Sequence, residues 1–405
     1  MRNVVYVAPF PLETTLRFSQ AIAGLDGVRL LGVFQQPPAG PGAALFHDIA
    51  LVEDALNPQH ILDGCRRLAA KHGALHRVTG ILENLQEQLA DVRAVLGIEG
   101  PDPATARRFR DKGVMKQALR AAGLPCARHA RIRAPGDGAA FAAEVGYPLV
   151  LKPPAGAGCR STWRIDEPAQ LHAAIDALKP SPQNEVLGEE FLVGAEYSFE
   201  TITLGGQVCF SSATRYFPTP LEVTRKDWIQ WCILFPRTIE GAEYDGVREL
   251  GQRAVRALGL RDGMTHMEWF RRPDGSLAIG EIAARPPGAQ ILRLTSYGHD
   301  TDIYRAWARC VVDGAFDGPW ARKYAVGVAF LRGPGRGRIT AVEGLDEAQA
   351  RMGEHVVEAR LPQVGMMKAD GYEGEGWAIV RHPDTEVVKR ALFELITTVK
   401  VRYGG

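Results

Sequence analysis

The sequence predicts a mixed protein, α/β at its start and α+β in its middle. Three observations carry that reading: a length of 405 residues, strands alternating with helices over residues 1–104, and a strand-dominated stretch beyond Cys126. A chain this long exceeds one comfortable core and suits two or three packed domains with room for a cleft between them.

Val4–Val7 is a short β-branched and aromatic run that stops at Pro9, and Thr15–Leu25 then carries apolar residues at helical spacing until Gly27. Val28–Phe34 reads as a second strand, with Ile61–Ala70 and Ile81–Val95 as further helices. The result is a small doubly wound, Rossmann-like layer. It lacks the glycine-rich turn of a dinucleotide site, because Ala8-Pro9-Phe10-Pro11 follows the first strand. Any nucleotide is therefore held elsewhere.

Pro101 and Pro103 mark a junction, after which Thr105–Ala122 reads as one charged amphipathic helix closed by Gly123-Leu124-Pro125. Strands are expected at Tyr147–Lys152, Glu185–Leu192 and Tyr197–Leu204, the last turning at Gly205-Gly206 into Val208–Ser212. A turn-rich stretch at Gly333–Gly337 precedes a closing helix at Thr385–Thr398.

Composition narrows the function. Lys plus Arg (48) almost equals Asp plus Glu (47), and 46% of residues are apolar, the profile of a folded soluble protein with no polyanion partner. Nucleic acid is not expected. The six cysteines (Cys65, Cys126, Cys159, Cys209, Cys232, Cys310) show no CxxC pair and no zinc spacing, and read as reduced thiols in a cytoplasmic protein. No apolar run is long enough for a signal peptide or a membrane span.

Two stretches carry chemistry. In Tyr147-Pro148-Leu149-Val150-Leu151-Lys152-Pro153-Pro154-Ala155-Gly156-Ala157-Gly158-Cys159, a lysine ends a buried strand and a loop of small residues follows. That pattern sets an ammonium beside phosphates while bare backbone N–H groups approach their oxygens. The plainer alternative is a surface turn with a snorkelling lysine. In the second stretch, Pro273-Asp274-Gly275 is a turn between Met264–Phe270 and Leu277–Gly288, which sets Glu268 and Glu281 on neighbouring antiparallel strands at one level. Two converging carboxylates call for a divalent cation or a shared proton, and oxygen ligands beside phosphates suit magnesium. The alternative is a pair of solvated strand glutamates.

Four pieces in order then look like the motifs of the ATP-grasp superfamily. They are Arg110-Asp111-Lys112 opening toward Ala122-Gly123-Leu124-Pro125, the strand lysine with its loop, Glu189-Glu190-Phe191-Leu192-Val193-Gly194-Ala195-Glu196, and the Glu268/Glu281 hairpin with Arg285-Pro286-Pro287-Gly288. The resemblance spans most of the chain and leans toward the carboxylate–amine ligases, the amino-acid and dipeptide branch. It implies an ATP-grasp fold with an N-terminal Rossmann-like domain over 1–104, an ATP-grasp domain over 105–312 with a lid subdomain at about 127–192, and a C-terminal lobe over 313–405. It implies ATP and Mg2+, with Mn2+ as a substitute, and a small carboxylate and an amine as substrates, joined through an acyl phosphate with ADP released. A homodimer is compatible with it.

By the same resemblance Lys112 and Lys152 contact phosphates, with Gly156 and Gly158 in the loop over them. Glu189, Glu190, Phe191 and Leu192 line the adenine, and Glu196 accepts the ribose hydroxyls. Glu268 and Glu281 match the metal ligands, and Arg285 matches the arginine that steadies the intermediate, its alternative being a salt bridge to a nearby glutamate. The family usually has Asn two residues after the second metal glutamate; Ala283 stands here and cannot coordinate. A water could replace that ligand. Carboxylase or purine-pathway chemistry, a kinase-like phosphotransfer and a non-catalytic ATP-binding module stay open as other readings. His266 shares a strand face with Glu268, as an active-site residue or as a core histidine satisfied by a backbone carbonyl. Cys159 reads as a small loop residue. The aromatics of segment 216–235, Phe217, Trp228 and Trp231 among them, face either the acceptor substrate or the core.

Overall fold

The computed structural model describes residues 1–156, 161–226, 229–369, 371 and 373–404. Its first layer holds β1 (Arg2–Ala8), α1 (Glu13–Ala23), β2 (Val28–Phe34), β3 (Asp48–Leu51), α2 (Pro58–His72), β4 (Leu75–Thr79) and α3 (Gln86–Leu96). There follow α4 (Pro103–Arg110), α5 (Lys112–Ala121), β5 (His129–Ile132), α6 (Pro135–Val145), β6 (Leu149–Lys152), β7 (Trp163–Ile165), α7 (Pro168–Leu178) and β8 (Val186–Glu190). Next come β9 (Ala195–Leu204), β10 (Gln207–Phe217), α8 (Pro220–Arg225), β11 (Trp231–Phe235), α9 (Val247–Leu258), β12 (Gly263–Arg271), β13 (Leu277–Ala283), α10 (Ile291–His299) and α11 (Ile303–Asp313). The chain closes with β14 (Ala325–Leu331), β15 (Arg338–Glu343), α12 (Leu345–Met352), β16 (Val356–Arg360), β17 (Gly376–His382), α13 (Thr385–Thr398) and β18 (Lys400–Gly404).

The first sheet is parallel, in the order β3-β2-β1-β4. Alternate residues of β1 face opposite sides, as the two-residue period of a strand requires. Val4 and Tyr6 pack with Phe18 and Ile22 of α1, while Val5 and Val7 pack with Ile61 and Leu68 of α2 and Leu89 of α3. Helices therefore cover both faces, as the alternation of elements predicts. The expected helix over Ile81–Val95 starts later, because a short 3-10 turn at Glu83–Leu85 precedes α3.

The single helix expected over Thr105–Ala122 is two. Asp111 leaves the helical region (φ −88°, ψ 108°), and its carboxylate accepts from the N–H groups of Gly113 and Val114. An aspartate that caps so well ends one helix and starts the next even in a run of good helix formers. The break places Lys112 in the first turn of α5.

A four-stranded antiparallel sheet, β5-β8-β6-β7, carries α6 and α7 and forms a compact unit with its own core around Phe141, Leu149, Leu151 and Ile175. The largest sheet has eight strands in the order β13-β12-β9-β10-β11-β14-β17-β16, so strands from both sides of Asp313 share one hydrogen-bonded surface. The hairpin expected at Gly205-Gly206 is β9/β10, and its second strand runs on to Phe217. No helix among the described residues is long and apolar enough to cross a membrane. The five described cysteines are free thiols; Cys159 lies outside the described residues.

Candidate active site

A cleft of about 1360 Å3 runs between the four-stranded and eight-stranded sheets and is bounded on a third side by the first layer. Lys112, Lys152, Gly156, Glu189, Glu190, Phe191, Leu192, Glu196, Glu268, Glu281 and Arg285, all expected from sequence, line it. Gly158 falls outside the described residues, as does Trp228.

The hairpin places the two glutamates as the turn signature predicts. Glu268 on β12 pairs directly with Glu281 on β13, and Ser198 of β9 lies across from Glu268 on the other side. Glu196, two residues before Ser198, shares that face. Burial pushes the Glu196 carboxyl well above its usual range, and the neighbouring Glu268 adds to the effect. No group of three or more potential metal ligands converges among the described residues, but the paired carboxylates of Glu268 and Glu281 are hard oxygen donors that fit magnesium with phosphate oxygens and water completing the set. Ala283 sits opposite His266 in the ladder and adds no donor.

Lysines balance these carboxylates. Lys112 Nζ lies 3.0 Å from Glu281 and donates to the Gly156 carbonyl at 2.9 Å. Burial works against ionisation of Glu281, yet Lys112 and Lys152 hold its carboxyl well below the usual range. Lys152, at the end of β6, is 2.9 Å from Glu189, and Lys116 approaches the other oxygen of the same carboxylate at 3.4 Å. Burial opposes the Lys152 charge, but Glu189 and Glu281 outweigh it and raise the ammonium above its ordinary value. Lys116, fully buried, is instead pushed down by burial in spite of Glu189. Its ammonium also donates to the Gly280 carbonyl at 2.6 Å, which ties α5 to β13.

Arg285 takes the alternative weighed for it while still facing the cleft: its Nε donates to Glu83 at 2.6 Å. Glu83 belongs to the first layer, and its second oxygen lies 3.8 Å from Arg110. His266 finds a carboxylate in place of the expected backbone carbonyl. Its Nδ1 is 2.9 Å from Glu200, and its Nε2 is 3.8 Å from Glu268. Burial lowers the imidazole's affinity for a proton, but the two glutamates overcome that and hold its pKa at about 9. Trp231 is core, stacked on Phe330 with ring centroids 4.9 Å apart, although its edge also reaches the cleft. Phe217 is half-buried with Arg215 over its ring.

Lys116, Glu200 and Glu83 were not singled out by sequence, and Arg110 was named only as part of a motif. Lys116 had a signal: it stands between Met115 and Leu119 on the buried face of α5, one turn after Lys112. A lysine there needs a buried partner.

Residues 117–290 match the sequence model of the ATP-grasp domain. The chain is 26% identical over 314 residues to the uncharacterized protein y4rH of Sinorhizobium fredii, covering 76% of this chain and 61% of that one. It is 28% identical over 208 residues to the L-arginine-specific L-amino acid ligase of Bacillus subtilis (50% and 49% covered) and 28% identical over 196 residues to the D-alanine–D-alanine ligase of Neisseria gonorrhoeae (47% and 63%). The chain thus spans from about half to just under two-thirds of the length of these curated relatives. Among solved structures, an L-amino acid ligase from Bacillus licheniformis superposes with a TM-score of 0.78 at 16% identity, covering 100% of this chain and 99% of the other. The N5-carboxyaminoimidazole ribonucleotide synthetase of Thermotoga maritima gives 0.71 at 18% identity with 100% of both chains covered. At such identities the likeness is one of fold.

Proposed function

We propose that this chain, which carries an ATP-grasp domain and the full fold of ATP-grasp enzymes, joins a carboxylate to an amine while converting ATP to ADP and phosphate. The observation that carries the reading is the convergence of Lys112 and Lys152 with the in-register pair Glu268 and Glu281 in one cleft, with Arg285 on its wall. Amino acids or small carboxylic acids are the acyl donors we favour, in keeping with the amino-acid ligases among its relatives. Where carboxylation or purine-pathway chemistry applied instead, bicarbonate would replace the amino acid in supporting ADP release.

A carboxylate resists an amine because its charge is delocalised and its leaving group would be oxide. Transfer of the γ-phosphoryl group to its oxygen converts the leaving group to phosphate and splits one hard step into two easier ones. Lys152 meets the charge of the transferring group, and Lys112 holds the adjacent phosphates. Magnesium bound by Glu268 and Glu281 would supply charge neutralisation for the phosphates. Arg285, with a fixed fork of donors, binds the oxygens of the acyl phosphate until the amine arrives. Glu196 takes the ribose hydroxyls, and the strand end from Glu189 to Leu192 lines the base. Glu189 has a further part as the carboxylate that keeps Lys152 aimed.

The test uses substrate carrying heavy oxygen in its carboxylate. One labelled oxygen is expected in the released inorganic phosphate, with ADP as the other product. Label found only in the product, or in AMP, refutes the acyl-phosphate route. Nucleotide binding with no ADP release across a full panel of acids and amines would point to a non-catalytic ATP-binding module.

A further inference from the structure

Away from the phosphates, the cleft is walled by α8, by Trp231, by the loop from Pro286 to Gln290 and by Glu373 in the turn that leads into β17. The cations of this part have partners: Arg225 lies 3.8 Å from Asp166, Lys226 is 3.0 Å from Glu222, and Arg293 is held by Glu13 and Glu358. Glu373 has none among the described residues. Burial raises its carboxyl above the usual range, and the Ala289 backbone N–H beside it is the group that opposes the rise. A half-buried carboxylate facing a cleft without a cation is costly to maintain unless something binds to it.

The loop beside it is strained in the same sense. Ala289 and Gln290 both have positive φ, 51° and 63°. Left-handed backbone in consecutive non-glycine residues is strained and gathers at ligand-binding sites. This loop begins at Arg285, the residue assigned to the acyl phosphate, so one short segment of the cleft wall carries Arg285 at one end and lies beside Glu373 at the other.

We propose that Glu373 binds the ammonium group of an amino-acid substrate, so that the cleft selects ammonium-bearing carboxylates over plain acids. The inference rests on the ligase reading for what happens at the carboxylate end. A charge-assisted hydrogen bond between ammonium and carboxylate corresponds to roughly 10- to 100-fold in affinity.

The experiment is calorimetric titration of the full chain, with magnesium and a non-hydrolysable ATP analogue present, using the common amino acids and the deaminated analogue of each. Wild type is expected to bind at least one amino acid roughly 10- to 100-fold more tightly than its analogue. Glu373→Gln keeps the size and an acceptor for the Ala289 N–H but loses the charge. It is expected to abolish that ratio by weakening the amino acid alone, with the affinity for the ATP analogue and the melting temperature retained; Glu373→Ala serves as a repeat. A wild type that binds no amino acid, or binds both members of each pair equally, overturns the proposal, as does a Gln variant that keeps the ratio. ADP release on the same panel judges the ligase reading separately. Selective binding without turnover sinks that reading and leaves Glu373 standing, and turnover indifferent to Glu373 does the reverse.

Discussion

At the phosphate end of the cleft, charge is balanced within the chain: Lys112 faces Glu281, and Lys152 shares Glu189 with Lys116. At the other end Glu373 faces open space with no such partner among the described residues. The difference teaches how the two ends meet their ligands. In the proposed function, a nucleotide entering the first takes lysines that are already engaged, so its phosphates would exchange one set of contacts for another while the lysines stay aimed. A substrate entering the second supplies the missing charge itself. Pre-paired groups give orientation, and an unpaired group gives selectivity.

The largest effect is expected where that internal balance is cut. Glu281→Gln removes the carboxylate that holds Lys112 and that the proposed function makes a metal donor, and ADP formation should fall by at least about a thousandfold, a loss of ~4 kcal/mol in transition-state stabilisation. Glu268→Gln should fall comparably without disturbing Lys112. Steady-state ADP release checks both, and near wild-type turnover in either would remove it from the metal set. Lys152→Ala is next, at about 1.5–3 kcal/mol in ATP binding or phosphoryl transfer. An ATP titration at constant substrate reads it, and unchanged affinity and rate would leave Lys152 as a structural partner of Glu189.

The smallest effect concerns Asp111, which contacts no ligand. Burial opposes ionisation of its carboxyl, but Arg131 at 2.5 Å and the capped N–H groups of α5 hold its pKa below the usual value. A carboxyl depressed on folding stabilises the fold fully above its unfolded pKa, about 4, and that contribution disappears as pH falls through the lower folded value. Asp111→Ala should therefore cost about 1–2 kcal/mol at neutral pH, with the deficit shrinking below about pH 4. Urea unfolding at pH 7 and pH 3 measures it. An equal deficit at both would assign the effect to packing.

Much of this was legible in the sequence where chemistry is local. The turn at Pro273-Asp274-Gly275 was enough to put Glu268 opposite Glu281, and β2 and α13 fall on their expected bounds. The split between α4 and α5 was readable in principle, yet the helical character of its surroundings masked the cap at Asp111. What no local pattern could give were contacts set by packing between distant segments. Glu83 meets Arg285 across 202 positions of sequence, and Glu200 meets His266 across 66. His266 and Glu200 are opposite each other in the β9/β12 ladder, so the second contact follows once that pairing is known.

Glu83 also bears on how far the chain can be treated as modular. One carboxylate from the first layer lies against two guanidinium groups, Arg285 and Arg110, in the neighbouring unit. A foreign N-terminal segment grafted in place of the first layer would remove the carboxylate that Arg285 and Arg110 both approach unless the graft brought an acidic residue to the same spot. Chimaeras made to alter substrate choice should therefore carry Glu83 with the recipient chain, and the position gives a simple criterion for which first domains are interchangeable.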